Sequence, residues 1–171
     1  MITRGCSSVA GVLFMMVIAG LLLEVSPARA QDKNKPVTGK IPNKVMDALK
    51  AKFPNSRIDK WSKEKGANIV VYDIEFKQEG RKFEADIKED GNIHNWEKAV
   101  EFKDLPPAVL KAVDTKYPKD SVKEIMEVTA VKNGKDELEG YEMVLECADK
   151  KEVEVTVAPD GKILEDSGEK K

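Results

Sequence analysis

Apolar and charged residues alternate strictly along Tyr72-Asp73-Ile74-Glu75-Phe76, and the alternation resumes in Lys82-Phe83-Glu84-Ala85-Asp86-Ile87-Lys88 after a short turn. A period of two is typical of a β-strand with one buried face. Two such runs on either side of a turn predict a β-hairpin. The pair Asp90-Gly91 then predicts the next turn, because glycine adopts a positive φ without steric cost.

The same pattern returns in the second half of the chain. The run Tyr141–Leu145 leads to Lys151–Val157 and then to a turn at Asp160-Gly161. Each hairpin follows an amphipathic helix pattern, over residues 41–53 and residues 105–117, which opens at Ile-Pro or Leu-Pro and ends at an aromatic residue before proline. Because these features recur in the same order, they indicate an internal repeat.

The predicted fold class is α+β, a tandem repeat of two α-β-β-β-β units in residues 41–101 and 105–166. Short connections favour antiparallel neighbours, so the strands should form an antiparallel sheet with both helices packed on one face. One unit covers its sheet with a single helix, so we expect a single domain over residues 41–166 with a shared core. The strand order between the two repeats stays open.

Residues 1–30 have the three parts of a secretory signal peptide. Arg4 gives a positive start, residues 9–23 form an unbroken run of apolar residues and glycine, and Ala28-Arg29-Ala30 is a small-x-small cleavage site. The alternative is a membrane anchor, but the run is shorter than the roughly 18–20 residues that span a bilayer, and Glu24 ends it. We therefore predict cleavage after Ala30, a periplasmic or secreted protein, and no membrane attachment after cleavage.

The ends of the mature chain lack periodicity. Residues 31–40 are polar and contain Pro36 and Gly39, which predicts a flexible leader. Residues 167–171 are small and charged, which predicts a frayed tail. Cys147 lies in phase with the apolar side of its strand, so we expect it to be buried as a small hydrophobic residue.

Charge and histidine content exclude several classes of function. The formal net charge is −2 and both signs are interspersed, which argues against a nucleic-acid binder with a basic patch. His94 is the single histidine, so it cannot form the histidine clusters of zinc sites, and no nucleophile loop accompanies it. We therefore predict no catalytic residue, no metal site and no cofactor.

The ordered set of motifs resembles the PepSY-like family of exported bacterial proteins. The matching residues are Ile41-Pro42, Phe53-Pro54, Tyr72 and Asp90-Gly91-Asn92-Ile93, followed by Leu105-Pro106, Tyr117-Pro118, Tyr141 and Asp160-Gly161-Lys162-Ile163. The family is described as resembling the β-lactamase inhibitory protein, which is itself a tandem α/β repeat, and related PepSY domains occur in protease propeptides. The resemblance implies a non-catalytic binding or inhibitory module, and it transfers no active-site residue.

One face of the predicted sheet lies opposite the helices, and its side chains are candidates for a binding surface. If Ile93 points into the core, strand alternation directs His94 outward with Trp96, and exposed tryptophan is enriched in binding hot spots. The alternative is that Trp96 folds over an edge of the sheet, or that a slip of one residue reverses these directions and buries it, and we leave these possibilities open. The predicted partner-binding residues are His94, Trp96, Val71, Val144 and Leu164, rimmed by the carboxylates Glu84 and Asp86.

The sequence thus favours an exported, non-catalytic module that docks a protein or peptide of the cell envelope on the open face of its sheet. Regulation of a peptidase is one form that this function could take. The alternative is a periplasmic sensor that binds a small molecule or a metal on the same face. Many carboxylates share that face, but the lysines among them favour an ordinary solvated surface over a calcium or hydrolase site.

Overall fold

A computed structural model describes residues 39–66, 69–118 and 120–168. The predicted signal peptide and its cleavage site, Cys6 and most of the predicted leader lie outside the described residues. The boundaries of the predicted domain and of its two repeats stay predictions.

The described chain contains two helices and eight strands in the order that the repeat predicts. The helices are α1 (Asn43–Lys52) and α2 (Pro107–Lys116), and a short 3-10 helix (Phe102–Asp104) precedes α2. The strands of the first repeat are β1 (Arg57–Lys65), β2 (Val70–Gln78), β3 (Arg81–Lys88) and β4 (Ile93–Ala99). The strands of the second repeat are β5 (Ser121–Lys132), β6 (Lys135–Glu146), β7 (Glu152–Val157) and β8 (Ile163–Asp166).

All eight strands form a single antiparallel sheet in which sequence neighbours are also spatial neighbours. The strand order is β1-β2-β3-β4-β5-β6-β7-β8. The two repeats meet where β4 pairs with β5, from Asn95 opposite Ala130 to Ala99 opposite Met126. This register answers the strand order that the sequence left open, and the predicted α+β class is confirmed.

Proline and aromatic residues set the limits of both helices. Pro42 and Pro106 occupy the N-cap positions, where the absence of an N–H costs no intrahelical hydrogen bond. At the other end, Phe53 donates its backbone N–H to Leu49 O at 2.7 Å, and Tyr117 donates to Val113 O at the same distance. The proline that follows each aromatic residue disfavours a further helical turn.

Each helix covers the central strands of its own repeat, so the domain has two hydrophobic clusters. Under α1 the buried residues are Ile41, Val45, Leu49, Phe53, Tyr72, Ile74, Phe76, Ala85 and Ile87. Under α2 they are Leu105, Val109, Val113, Ile125, Tyr141, Met143, Leu145, Cys147, Val153, Val155 and Val157. The expectation of one shared core was wrong, because each helix covers only the strands nearest to it.

The two Asp-Gly turns approach the helices closely, and this explains their glycines. A Cβ built on Gly91, where φ is +95°, would lie 3.0 Å from Lys44 O near the start of α1. The equivalent Cβ on Gly161, where φ is +90°, would lie 2.7 Å from Ala108 O near the start of α2. The turn therefore packs against the first turn of the helix in both repeats, and a side chain does not fit there.

Part of the predicted tail is tied to the sheet. Ser167 accepts the backbone N–H of Glu154 on its side-chain oxygen at 2.8 Å, and its own N–H donates to Glu154 O at 2.9 Å. The next residue, Gly168, donates its N–H to the Asp166 carboxylate at 2.8 Å. The described structure therefore continues past the predicted boundary at residue 166.

Among the described residues, no helix is both long enough and apolar enough to cross a membrane.

Candidate functional site on the open face of the sheet

A β-bulge in β4 reverses the predicted direction of Trp96. Ile93 pairs with Ile87 and Asn95 pairs with Asp86, so His94 is an extra residue between two regular pairs. Trp96 then pairs with Ala85, which lies in the cluster under α1. The prediction that Trp96 belongs to the open face was wrong, because strict alternation does not hold across a bulge; the alternative of a one-residue slip was right.

Trp96 instead belongs to an aromatic group beneath the end of α1. Its ring centroid lies 5.7 Å from that of Phe53 and 6.3 Å from that of Phe83. Lys52 Nζ lies 5.5 Å from the centre of the Trp96 ring, and the same ammonium binds the Asp136 carboxylate at 2.7 Å. Trp96 therefore joins the first helix to the sheet and does not lie on the open face.

The other predicted site residues lie at different depths. His94 and Leu164 occupy equivalent bulges in β4 and β8, where Leu164 is 40% exposed. Burial, together with the Lys88 ammonium, lowers the pKa of His94, so the imidazole is neutral at neutral pH. Val71 lies on the predicted face but is buried, whereas Val144 is half-buried between its neighbours.

The register brings three glutamates side by side across the open face. Glu75 on β2 pairs with Glu84 on β3, and Glu84 pairs with Glu97 on β4. Paired residues of antiparallel strands have Cβ atoms about 4.5–5.5 Å apart, so like charges placed directly opposite repel one another. We call Glu75, Glu84 and Glu97 the glutamate row.

Lysines satisfy two members of the glutamate row. Lys60 Nζ binds Glu75 at 2.8 Å, and Lys82 Nζ binds Glu84 at 2.8 Å. Within the described parts of the chain, Glu97 forms no ion pair, and its Oε2 atom is buried without a hydrogen-bond partner. The row therefore ends on a carboxyl group that no cation of the described residues pairs with.

The centre of the open face is packed, although neither helix covers it. Glu97 is only 2% exposed and the neighbouring Asp86 only 5%. On the adjoining β5, Met126, Val128 and Ala130 are also buried, yet they belong to neither hydrophobic cluster. They lie on the open face because Val128 pairs with Glu97 and Met126 with Ala99. The face thus combines an apolar strip on β5 with carboxyl groups on both sides.

This environment keeps several of the carboxyl groups protonated. Burial, reinforced by Asp73, raises the pKa of Asp86 to about 8. Burial and the nearby Glu84 raise the pKa of Glu97 well above its usual range. Removing an ionised carboxylate from water is costly unless a cation or hydrogen-bond donors compensate, which is why these groups stay neutral at neutral pH.

A further carboxyl group, Glu142, is half-buried on the far side of β5. Burial and the proximity of Glu97 raise the pKa of Glu142 to about 10, and Glu142 also shares a hydrogen bond with Glu154 on β7. A hydrogen bond between two carboxyl groups requires that one of them carry a proton. Together, Asp73, Glu84, Asp86, Glu97, Glu142 and Glu154 form what we call the acidic centre.

Glu84 and Asp86 were predicted from the sequence as site residues. Glu97 and Glu142, whose pKa values are raised most, were not. The polar face was also predicted to be fully solvated, whereas Asp86 and Glu97 are buried. One signal was available. Strand β5 carries apolar residues on both of its faces, since Ile125 lies under α2 while Met126 and Val128 lie on the opposite face. A strand of that kind is buried on both sides.

The carboxyl groups of the described residues are not arranged as a metal centre. Among these residues, no group of three histidine, cysteine or acidic side chains is arranged to hold a metal ion. Two shallow surface pockets, of about 430 and 390 Å³, lie against the β2–β3 turn and beside Val70 and Lys88–Asp90. Neither of these pockets includes His94, Glu97 or Glu142.

A family model matches this chain over residues 30–95 and 71–165, and it describes beta-lactamase-inhibitor-like, PepSY-like proteins. The chain belongs to the PepSY-like family. Two matched ranges in one chain fit a repeated architecture. The PepSY-like motifs of the sequence fall at the helix ends and turns of both repeats, except Tyr72 and Tyr141, which lie within β2 and β6. A comparison with curated proteins finds no match.

Solved structures with the same fold come from Bacteroides species. A BLIP-like protein from Bacteroides fragilis is 23% identical, with a TM-score of 0.55 over 75% of this chain and 86% of that one. A DUF2874 family protein from Bacteroides uniformis is 17% identical, with a TM-score of 0.56 over 73% and 87%. A protein from Bacteroides eggerthii, described as periplasmic, is 15% identical, with a TM-score of 0.58 over 75% and 88%. At these identities the likeness establishes the PepSY-like fold alone.

Proposed function

We propose that this PepSY-like protein is an exported, non-catalytic module that binds a protein or peptide of the cell envelope on the open face of its sheet. The observation that carries the proposal is the acidic centre, where Glu97 is buried and its Oε2 atom lacks a partner among the described groups. A buried polar atom without a partner lowers stability, and such groups are retained where a ligand completes them. Regulation of a peptidase or another envelope enzyme would fit a family described as inhibitor-like.

The shape of the site also favours docking over catalysis. The acidic centre crosses the sheet from Asp73 on β2 to Glu154 on β7, which is five strand spacings or roughly 24 Å. A surface of this width suits an extended segment of a partner, whereas a small substrate needs a concave pocket that encloses it. The alternative of a metal sensor finds no support in the geometry of the described carboxylates.

The proposal can be tested by photo-crosslinking in cells that export the protein. A benzoylphenylalanine is placed at Val144 on the open face or at Leu138 on the same strand. Leu138 pairs with Thr129 on the helix side and is 47% exposed. We expect a discrete adduct with one identified envelope protein from position 144 and not from position 138.

A charge substitution supplies the matched control. Val144→Arg places a cation beside Glu154 and should abolish the adduct formed from a neighbouring open-face position, such as Thr156. Leu138→Arg makes the same chemical change on the other face and should leave that adduct intact. Equal adducts from both faces, or none from the open face, would overturn the proposal.

A further inference from the structure

The cation pattern of the glutamate row indicates what kind of partner the open face accepts. Lys60 binds Glu75 and Lys82 binds Glu84, so each of the first two glutamates has an ammonium at 2.8 Å. Glu97 is the third glutamate in the row and has neither an ion pair nor a hydrogen bond at Oε2 within the described residues. Among the described residues, two of the three glutamates in the row are therefore paired with a lysine, and Glu97 is not.

The groups around Glu97 reinforce this demand for positive charge. Glu84 and Asp86 face it from β3, Asp73 from β2, Glu142 from β6 and Glu154 from β7, while its partner on β5 is the apolar Val128. Lys82, which binds Glu84 at 2.8 Å, also forms an ion pair with Glu124 at 2.7 Å. A partner that brings a cation would therefore gain several charge-assisted hydrogen bonds at once.

We propose that the segment docked on the open face is a cationic peptide, which presents an Arg or Lys side chain to Glu97. This inference rests on the proposed function and specifies the chemistry of the partner. A free metal ion fits less well, because no three of the described carboxylates converge to ligate one. A guanidinium or an ammonium on a long stem can reach between carboxylates on different strands.

Docking of this kind is coupled to proton release. In the free protein Asp86 and Glu97 keep their protons, because both are buried without a full set of compensating donors. An arriving cation favours the ionised carboxylates, so protons leave as the peptide binds. Affinity for a cationic peptide should consequently rise with pH, whereas affinity for a neutral peptide should not.

The test compares two pools of short synthetic peptides with randomised uncharged flanks. One pool has Arg at its central position and the other has citrulline, which keeps the shape of arginine and removes its charge. Binding to the exported full-length protein is measured by fluorescence anisotropy at pH 6 and pH 8 at constant ionic strength. Arginine does not titrate in this range, so any pH dependence belongs to the protein.

We expect the wild type to prefer the arginine pool by about tenfold or more at pH 8, the gain typical of one charge-assisted contact. The preference should be lost as the pH is lowered from 8 to 6, because the arriving cation must then displace protons that are held more firmly. Glu97→Gln mimics the protonated side chain, so it should remain folded and lose both the preference and its pH dependence. Glu101→Gln, an exposed loop substitution away from the sheet, should leave both unchanged.

The outcomes separate this inference from the proposed function. If both pools bind equally and the open-face crosslink persists, docking stands and the cationic partner is wrong. If calcium ions alone raise the melting temperature in a Glu97-dependent manner, the site takes a metal ion and the inference is overturned. If neither pool binds and no open-face crosslink forms, both the inference and the proposed function fall.

Discussion

The rings of Phe53 and Trp96 meet edge to face, with centroids 5.7 Å apart and planes inclined at 70°. This contact joins the residue that ends α1 to the middle of β4. Edge-to-face aromatic pairs contribute about 0.5–1.5 kcal/mol beyond the burial of their area. Trp96 is therefore a structural residue, and its position on the helix side follows from the bulge at His94.

Trp96→Ala should lower the free energy of unfolding by about 2–4 kcal/mol, because it removes a half-buried aromatic side chain that packs on Phe53 and Phe83. Urea unfolding followed by circular dichroism measures the change. Phe102→Ala is the control, since Phe102 is 55% exposed and its loss should change stability by less than about 0.5 kcal/mol. A Trp96→Ala protein that unfolds like the wild type would contradict the aromatic packing.

Asp166 occupies the position in the second repeat that Trp96 occupies in the first. Tyr117 donates its hydroxyl hydrogen to Asp166 at 2.7 Å, and Lys116 forms an ion pair with the same carboxylate. Tyr117→Phe removes one donor to a charged acceptor and should cost about 1–3 kcal/mol. Urea unfolding at pH 7 measures this cost, and Asp114→Asn on the exposed side of α2 should leave stability unchanged.

The same contact predicts a loss of stability in acid. Burial opposes ionisation of Asp166, but the hydrogen bonds from Lys116 and Tyr117 prevail and lower its pKa. The stabilising contribution is therefore present above the unfolded value of about 3.9 and is lost as the pH falls below it. Between pH 5 and pH 3, Asp166→Asn should lose less stability than the wild type. If the two proteins lost equal free energy of unfolding over this range, groups other than Asp166 would determine the loss of stability in acid.

The Asp-Gly turn of the second repeat offers a sharp test of the packing between turn and helix. Gly161→Ala should cost about 2–4 kcal/mol, because the positive φ is strained for alanine and the new Cβ would lie 2.7 Å from Ala108 O. Gly134→Ala has the same kind of strain, with φ at +73°, but its Cβ meets no atom within 4 Å. That control should cost only about 1 kcal/mol. Equal costs would mean that strain alone, and not the helix, requires glycine at position 161.

The sequence predicted the fold well because its signals are local and repeated. Alternating strands, helix limits set by proline and Asp-Gly turns each depend on a few neighbouring residues, and every one of these elements is present. The direction of Trp96 was not predictable in the same way. A bulge adds one residue, and whether it forms at His94 depends on the pairing with β3 and not on β4 alone.

The acidic centre was only partly predictable for a related reason. Alternation placed Glu84 and Asp86 on the open face correctly. Asp86 and Glu97 are buried, whereas Glu84 is half-buried. Glu97 pairs with Val128 of β5, which lies about thirty residues further along the sequence. Register between the two repeats brings these groups together, and that register could not be predicted from alternation within single strands.

The buried carboxyl groups predict that the free protein loses stability as the pH rises. Folding raises the pKa of Asp86 to about 8 and that of Glu142 to about 10, while both groups ionise near pH 4 in the unfolded chain. Between these values the folded state holds protons that the unfolded state has released, so each group lowers the free energy of unfolding by about 1.4 kcal/mol per pH unit. The window extends from about pH 4 to about pH 8 for Asp86. Urea unfolding at several pH values should show a decline from pH 5 to pH 8.

Glu97→Gln should make this decline shallower, because it removes one proton that the folded state retains and lowers the charge around Asp86 and Glu142. The variant should therefore be more stable than the wild type at pH 8 and similar to it at pH 5. Glu101→Gln, which changes an exposed loop carboxylate, should follow the wild-type curve. If Glu97→Gln instead destabilised the protein equally at both pH values, the Glu97 carboxyl would be ionised in the folded state and held by a cation. The charge assignment of the acidic centre would then be wrong.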